Sequence, residues 1–223
     1  MNGSVKLNLN SIDFFNFATP SLIYRLKHGG GGKQAIAKAI KVSGKEPLKV
    51  IDATAGFGTD SLILASLNCH IYAIERNPTI AKLLQNRLLA AQNNNFLAPL
   101  VKNITLIVGD SRTIIPELVQ KNQYNPDVIY LDPMFSANKK RTAASKKQIQ
   151  ILQSILANSE QPNPEYNDLN LLKTCINYAK KRVVVKRPKI SEHLDNIKPN
   201  FSLIGKANRF DIYLPNNTIK SIK

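Results

Sequence analysis

From residue 48 onward, short apolar runs alternate with segments of helical period. Residues 48–53 read as a first strand. Residues 60–67 read as a helix with Leu62, Ile63 and Leu67 on one side. A second strand covers 70–74. Asn77 then caps a helix that begins at Pro78 and carries Ile80, Leu83, Leu84, Leu88 and Ala91 on its apolar face. Residues 104–108 and 127–131 form a third and a fourth strand. Ile149, Leu152, Ile155 and Leu156 mark a further helix, and 158–167 a polar, proline-bearing loop. Leu171, Leu172, Cys175, Ile176 and Ala179 share a helix face, 182–185 is a fifth strand, and 201–204 with 210–214 predict a closing hairpin around Gly205. Upstream, Val5, Leu7 and Leu9 alternate with polar residues and Ile12, Phe14 and Phe15 follow, which predicts two short strands. A flexible glycine run, Gly29 to Gly32, leads into 34–42, where Ile36 and Ile40 stand at helical spacing. The expected division is a lead segment, 1–32, and one domain, 33–223. Strands separated by helices imply a parallel sheet covered on both faces. The last two strands have no helix between them and are expected to be antiparallel.

Composition narrows the partners. The 223 residues, 43% of them apolar, suffice for one core and a small appendage. No apolar run approaches the roughly 18 residues of a membrane span. The N-terminus lacks the apolar block and cleavage site of a secretory signal. Cys69 and Cys175 fit small core positions in a reduced, cytoplasmic protein, and neither sits in a metal-binding pattern, so no metal is expected. The net charge of +16, from 31 Lys plus Arg against 15 Asp plus Glu, favours a polyanion. A solvated lysine-rich surface gives the same number. No basic amphipathic helix stands out, so nucleic acid ranks ahead of an anionic membrane.

Candidate chemistry gathers at the strand ends. Asp52-Ala53-Thr54-Ala55-Gly56-Phe57-Gly58-Thr59-Asp60 closes the first strand and opens a helix. Its glycines let backbone approach a ligand, and ligands of open α/β sheets sit at such turns. The third glycine of a dinucleotide fingerprint is missing. The pattern is instead similar to the acid-led D-x-x-x-G-x-G motif that binds S-adenosylmethionine, although a glycine turn alone is equally compatible with a purely structural role. Glu75, 17 residues after Gly58, ends the second strand, where an acid accepts both ribose hydroxyls of a nucleoside. Asp110 and Ser111 end the third strand and Asp132 the fourth, so Asp52, Glu75, Asp110 and Asp132 mark four consecutive strands. The sulfonium, amino and hydroxyl groups of S-adenosylmethionine account for such acids. A mostly parallel sheet with an antiparallel end is the layout of class I, Rossmann-like methyltransferases.

The fourth strand runs into Asp132-Pro133-Met134-Phe135. A carboxylate accepts hydrogen bonds from an exocyclic amine, an aromatic ring stacks on a base, and proline fixes the turn that aims both. Asp-Pro after a strand is also an ordinary turn. Five cations in nine residues follow, Lys139, Lys140, Arg141, Lys146 and Lys147, and Lys186 and Arg187 end the fifth strand. Phosphate contacts from these two clusters position a nucleic acid while the pocket reads one base.

These motifs together resemble a family. Asp52–Gly58, Leu64-Ala65-Ser66, Glu75-Arg76-Asn77-Pro78, Tyr130–Phe135, Arg182–Pro188 and Arg209-Phe210-Asp211-Ile212-Tyr213, with the glycine run before Ala35, are similar to bacterial ribosomal RNA small subunit methyltransferase J over residues 22–214. The methionine of Asp-Pro-Met-Phe is specific, since amino-methylating enzymes in general carry a second proline there. The resemblance implies an α/β fold: a class I S-adenosylmethionine-dependent methyltransferase sheet, mostly parallel with an antiparallel end, preceded here by a short N-terminal β segment. It implies methyl transfer to the N2 amine of a guanine in 16S ribosomal RNA, with ribosomal RNA or the small subunit as partner. Cofactor contacts carry over to Thr59, Asp60, Glu75, Arg76, Asp110, Ser111 and Asp132, and the base site to Asp132 and Phe135. Thr59 stands where the family carries arginine, Asp110 where serine is common, and the lead segment is shorter. Two alternatives remain at this stage: an adenine-N6 methyltransferase, and an RNA-binding assembly factor that kept the fold without catalysis.

Overall fold

Val50 and Ile51 point to opposite faces of one buried strand, and that alternation organises the molecule. The computed structural model describes residues 16–42, 46–133, 170–205 and 208–215. Five strands run parallel: β1 (Leu48–Asp52), β2 (Cys69–Glu75), β3 (Ile104–Val108), β4 (Val128–Leu131) and β5 (Arg182–Pro188). β6 (Phe201–Ile204) and β7 (Asn208–Tyr213) complete a seven-stranded sheet in the order β3-β2-β1-β4-β5-β7-β6, with β7 antiparallel to both neighbours. The expected parallel sheet with an antiparallel end is present. Its central strands are continuous apolar runs because both faces are covered.

One face packs Leu62, Ile63 and Leu64 of α3 (Thr59–Ser66) and Leu84 and Leu88 of α4 (Pro78–Ala91) against Val50, Tyr130 and Val184. Ile36 and Ile40 of α2 (Ala35–Ile40) join that core, as do Phe17 and, from α1 (Pro20–His28), Leu22. The other face packs Ile115 and Leu118 of α6 (Ser111–Gln120) and Leu172 and Cys175 of α7 (Leu171–Tyr178) against Ile51, Ile129, Val183 and Val185. A short α5 (Ala98–Val101) precedes β3. Cys69 and Cys175 are buried on opposite faces, in the core role expected of them.

Local chemistry explains the element ends. Asn77 caps α4 as predicted, its Oδ1 accepting from the amides of Thr79 at 2.9 Å and Ile80 at 3.2 Å. Among the described residues three α-helices, α1, α5 and α6, lie where none was expected. In the lead segment, Leu22, Ile23 and Leu26 form the inner side of α1, which starts at Pro20 and closes with the Gly29 amide donating to Arg25 at 2.8 Å. The glycine run, expected to be flexible, folds into a 3-10 turn at Gly31–Lys33. Asp110 caps α6 by accepting from the Arg112 amide at 2.8 Å, and that helix runs through Pro116. The strands predicted before residue 16, the helix around 149–156 and the loop at 158–167 lie outside the described residues. No described helix is long and apolar enough to cross a membrane.

Candidate cofactor and substrate cleft

All four strand-end acids lie at the carboxyl edge of the sheet, but they do different work. Asp52 is 2% exposed. Its Oδ2 accepts from the Ser61 hydroxyl at 2.6 Å and its Oδ1 from the Thr54 amide at 3.3 Å. It ties the loop after β1 to the first turns of α3. Burial pushes its pKa up to about 7, against the pull of the Ser61 hydrogen bond. Glu75 holds the same loop from the other side: Oε2 accepts from the Gly56 amide at 2.9 Å and Oε1 from the Asn77 amide at 2.7 Å. Burial raises its pKa, opposed by those two amides. Each Glu75 oxygen keeps a further lone pair for a hydroxyl donor.

The two loop glycines also differ. Gly56 has φ +53°, and an added Cβ meets nothing nearer than the Thr54 carbonyl at 4.0 Å, so a ligand can lie against it. Gly58 has φ +73°, and an added Cβ falls 2.4 Å from Leu84 Cδ1. Gly58 therefore serves close packing rather than ligand approach. Arg87, buried on α4, donates to the Phe57 carbonyl at 2.5 Å and stands 4.1 Å over the Phe17 ring.

At the end of β3, Asp110 pairs with Arg112 at 2.5 Å, and that hydrogen bond holds its carboxyl below the usual range. The Ser111 hydroxyl donates to the Ala53 carbonyl at 2.7 Å, which joins two strand ends where Ser111 borders the hollow over them.

The register of β4 on β5 sets Leu131 opposite Val185, which brings Asp132 beside Lys186 one residue further on. The Lys186 ammonium lies 2.7 Å from Asp132 Oδ2 and 2.6 Å from Asp60 Oδ2. The Tyr130 hydroxyl donates to Asp60 at 2.7 Å, and the Thr54 hydroxyl accepts the Asp132 amide at 2.7 Å. Burial favours the neutral form of Asp60, but Lys186 and Tyr130 outweigh it and hold the carboxyl below its ordinary value. Asp132 goes the other way. Burial lifts it to about 6, with Asp60 adding to the rise and Lys186 opposing it. Burial alone favours a neutral Lys186, and the two carboxylates reverse that, raising its pKa.

Two adjoining hollows share Thr54, Gly56 and Asp132. The first lies over the ends of β1, β2 and β3 and is lined by Glu75, Arg76 and Asp110. The second is lined by Arg25 of α1, Thr59, Asp60, Tyr130 and Lys186. The first hollow fits a nucleoside cofactor: acceptors at Glu75 and Asp110, exposed backbone at Gly56, and Asp132 at its far end. Thr59 and Asp60, predicted as cofactor contacts, line the second hollow instead.

Two residues predicted as phosphate contacts already have partners within the chain. Lys186 is held between carboxylates. Arg187 is 5% exposed and donates to the Glu192 carbonyl from Nε at 3.0 Å and Nη2 at 2.6 Å. Both lie within β5, whose residues alternate into the two cores, so their heads turn to internal acceptors. Phe135, Lys139, Lys140, Arg141, Lys146 and Lys147 lie outside the described residues. Sequence reasoning did not single out Thr54, Ser61, Tyr130, Arg25 or Arg87. Arg87 had a signal: it shares the helical face of Ile80, Leu84 and Ala91. Tyr130 had another, since a buried tyrosine hydroxyl needs a partner. Among the described residues no group of three His, Cys, Asp or Glu side chains is placed to hold a metal.

The chain is similar to known methyltransferases. The family model described as "Putative SAM-dependent methyltransferase" matches residues 4–215. A protein of Pseudoalteromonas atlantica named ribosomal RNA small subunit methyltransferase J is 40% identical over 203 residues, covering 90% of this chain and 76% of that protein. One of the same name from Shewanella loihica is 38% identical, covering 90% and 74%. The crystal structure of a SAM-dependent methyltransferase from Neisseria gonorrhoeae superposes with a TM-score of 0.72 at 33% identity, covering 94% of this chain and 77% of that one.

Proposed function

We propose, from the premise that this chain belongs to the ribosomal RNA small subunit methyltransferase J family of S-adenosylmethionine-dependent methyltransferases, that it methylates the N2 amine of a guanine in small-subunit ribosomal RNA. The observation that carries this reading is the position of Asp132, which lines both hollows and so stands between a cofactor compartment and a substrate compartment.

S-adenosylmethionine, when bound, supplies an electrophilic methyl group on sulfur. The chain's residues do the rest by placement. Glu75 would accept the ribose hydroxyls with the lone pairs that the Gly56 and Asn77 amides leave. Asp110 would serve the adenine, and the open space at Gly56 would admit the amino-acid portion. Asp132 accepts a hydrogen from the guanine amine and turns the nitrogen lone pair toward the methyl group. That lone pair is delocalised into the ring, so alignment contributes much of the acceleration. Lys186 holds the Asp132 carboxylate still while this happens. The nitrogen would take the methyl group as sulfur gives it up, and would lose its surplus proton afterwards. Phe135 stacks on the base, and the cations at 139–147 meet phosphates.

The test is to incubate the protein with labelled S-adenosylmethionine and small subunits or their RNA, then digest and identify the labelled nucleoside. N2-methylguanosine is expected. N6-methyladenosine would transfer the assignment to adenine, and an absence of cofactor binding would leave an assembly factor on a methyltransferase fold.

A further inference from the structure

We infer that the outward face of α1 is a docking surface for a single strand of the substrate RNA, with an unpaired base stacking on Tyr24 and neighbouring phosphates meeting Arg25 and Lys27. This surface rests on the proposal that the substrate is RNA.

The helix separates two kinds of residue. Leu22, Ile23 and Leu26 pack on the core. At 100° per residue, Tyr24 and His28 form a row on the opposite side, with Arg25 on one border and Lys27 on the other. Tyr24 is 68% exposed, and its ring lies 4.9 Å from that of His28. Leu22, Ile23 and Leu26 anchor the helix to the core, so folding does not require an aromatic ring at Tyr24. Lys27 is steadied by the Phe96 ring, its Nζ 5.0 Å from the centroid. Arg25 lines the second hollow, beside Asp60 and Lys186. The row therefore leads to the mouth of the compartment assigned to the base.

Charge selects the partner. From residue 14 to residue 45 there is no Asp or Glu, while Arg25, Lys27, Lys33, Lys38, Lys41 and Lys45 are present. Arg25, Lys27, Lys33 and Lys38 are exposed. A flat ring between cations suits a nucleotide strand, because bases stack on aromatic faces while cations follow the backbone. A membrane surface calls for a broad apolar face, whereas the outward positions here are Ser21, Tyr24, Arg25, Lys27 and His28.

Steady-state methyl transfer by the full chain tests this, with naked small-subunit RNA and assembled small subunits as substrates. Tyr24→Ala should raise KM for naked RNA by roughly tenfold, the scale of one lost stacking contact. Its kcat and its S-adenosylmethionine affinity by calorimetry should match wild type, and Tyr24→Phe should restore KM. Lys27→Glu should also raise KM and should reduce the log–log salt slope of RNA binding by about 1. Wild-type KM in both Tyr24→Ala and Lys27→Glu overturns the surface while the proposed function stands. A rise confined to assembled subunits overturns it in favour of a protein contact. A wild-type protein that methylates no RNA overturns both the function and the surface.

Discussion

At the scale of single residues, the charge of the cleft turns on Lys186, which lies 2.6 Å from Asp60 and 2.7 Å from Asp132. Lys186→Met leaves two neighbouring carboxylates without their cation. Stability should fall by about 2 kcal/mol, less than the ~3–5 kcal/mol of a fully buried pair, because the Asp132 side chain is 40% exposed. The sharper readout is the pH–rate profile. Lys186 opposes the rise of Asp132, whose pKa stands at about 6, so its removal should move the acid limb of activity to higher pH. An unmoved limb would separate Asp132 from the rate. Asp132→Ala should reduce turnover by about a hundredfold or more, as for a lost positioning contact, with a thermal melt close to wild type because the side chain lies at the surface of the cleft. Near-normal turnover in that folded variant would refute the proposed role. The acid at this position was legible as the residue after a buried strand. Its cation was not, because Lys186 reads equally well as a surface charge until the two strands are set side by side.

At the scale of elements, the loop from β1 into α3 makes opposite demands on two glycines that look alike in sequence. Both take positive φ, which costs a residue with a side chain about 1–2 kcal/mol. Only at Gly58 does an added Cβ also overlap Leu84. Gly58→Ala should therefore cost about 2–4 kcal/mol in chemical denaturation, adding overpacking to conformation, and Gly56→Ala clearly less. Cofactor affinity should rank them in reverse once each variant is measured folded, since only Gly56 faces open space in the cleft. Equal denaturation midpoints would remove the packing role of Gly58. The helix at Pro78 was readable because Asn77 and Pro78 act on the adjoining turn. α6 was not: Pro116 stands inside it, and the helix is held by burial of Ile115 and Leu118 on the α7 side of the sheet.

For the whole molecule, acids buried at one edge link stability to pH. Burial lifts Asp52 from an unfolded value near 3.8 to about 7 in the fold. The folded state then binds the proton more tightly than the unfolded chain. The stability this provides is complete below about pH 4 and is lost as pH rises toward about 7. Asp52→Asn removes that dependence. Its melting temperature relative to wild type should increase between pH 4 and pH 8, whatever the offset from altered hydrogen bonds to Ser61 and Thr54. A difference that stays constant over that range would show that Asp52 does not change its proton affinity on folding. The net charge of +16 belongs to this scale too. It named a polyanion as partner, but not which cations face it: Lys186 is paired with two carboxylates and Arg187 with the Glu192 carbonyl.

By itself the sequence determined the alternation of strand and helix, the antiparallel end, the glycine loop and the acids closing successive strands. Each of these depends on period, capping or turn chemistry within a few residues. The tertiary structure decided what the acids do. Asp52 and Glu75 occupy equivalent strand ends, yet Asp52 borders the second hollow while held by Ser61, and Glu75 lines the first. Lys186 meets Asp60 across 126 residues and Asp132 across 54 because β5 lies next to β4 and α3 covers that face. α1 packs beside the cleft although its sequence read only as a lead segment. Such pairings follow from strand order and register, which bring together residues that no local pattern connects.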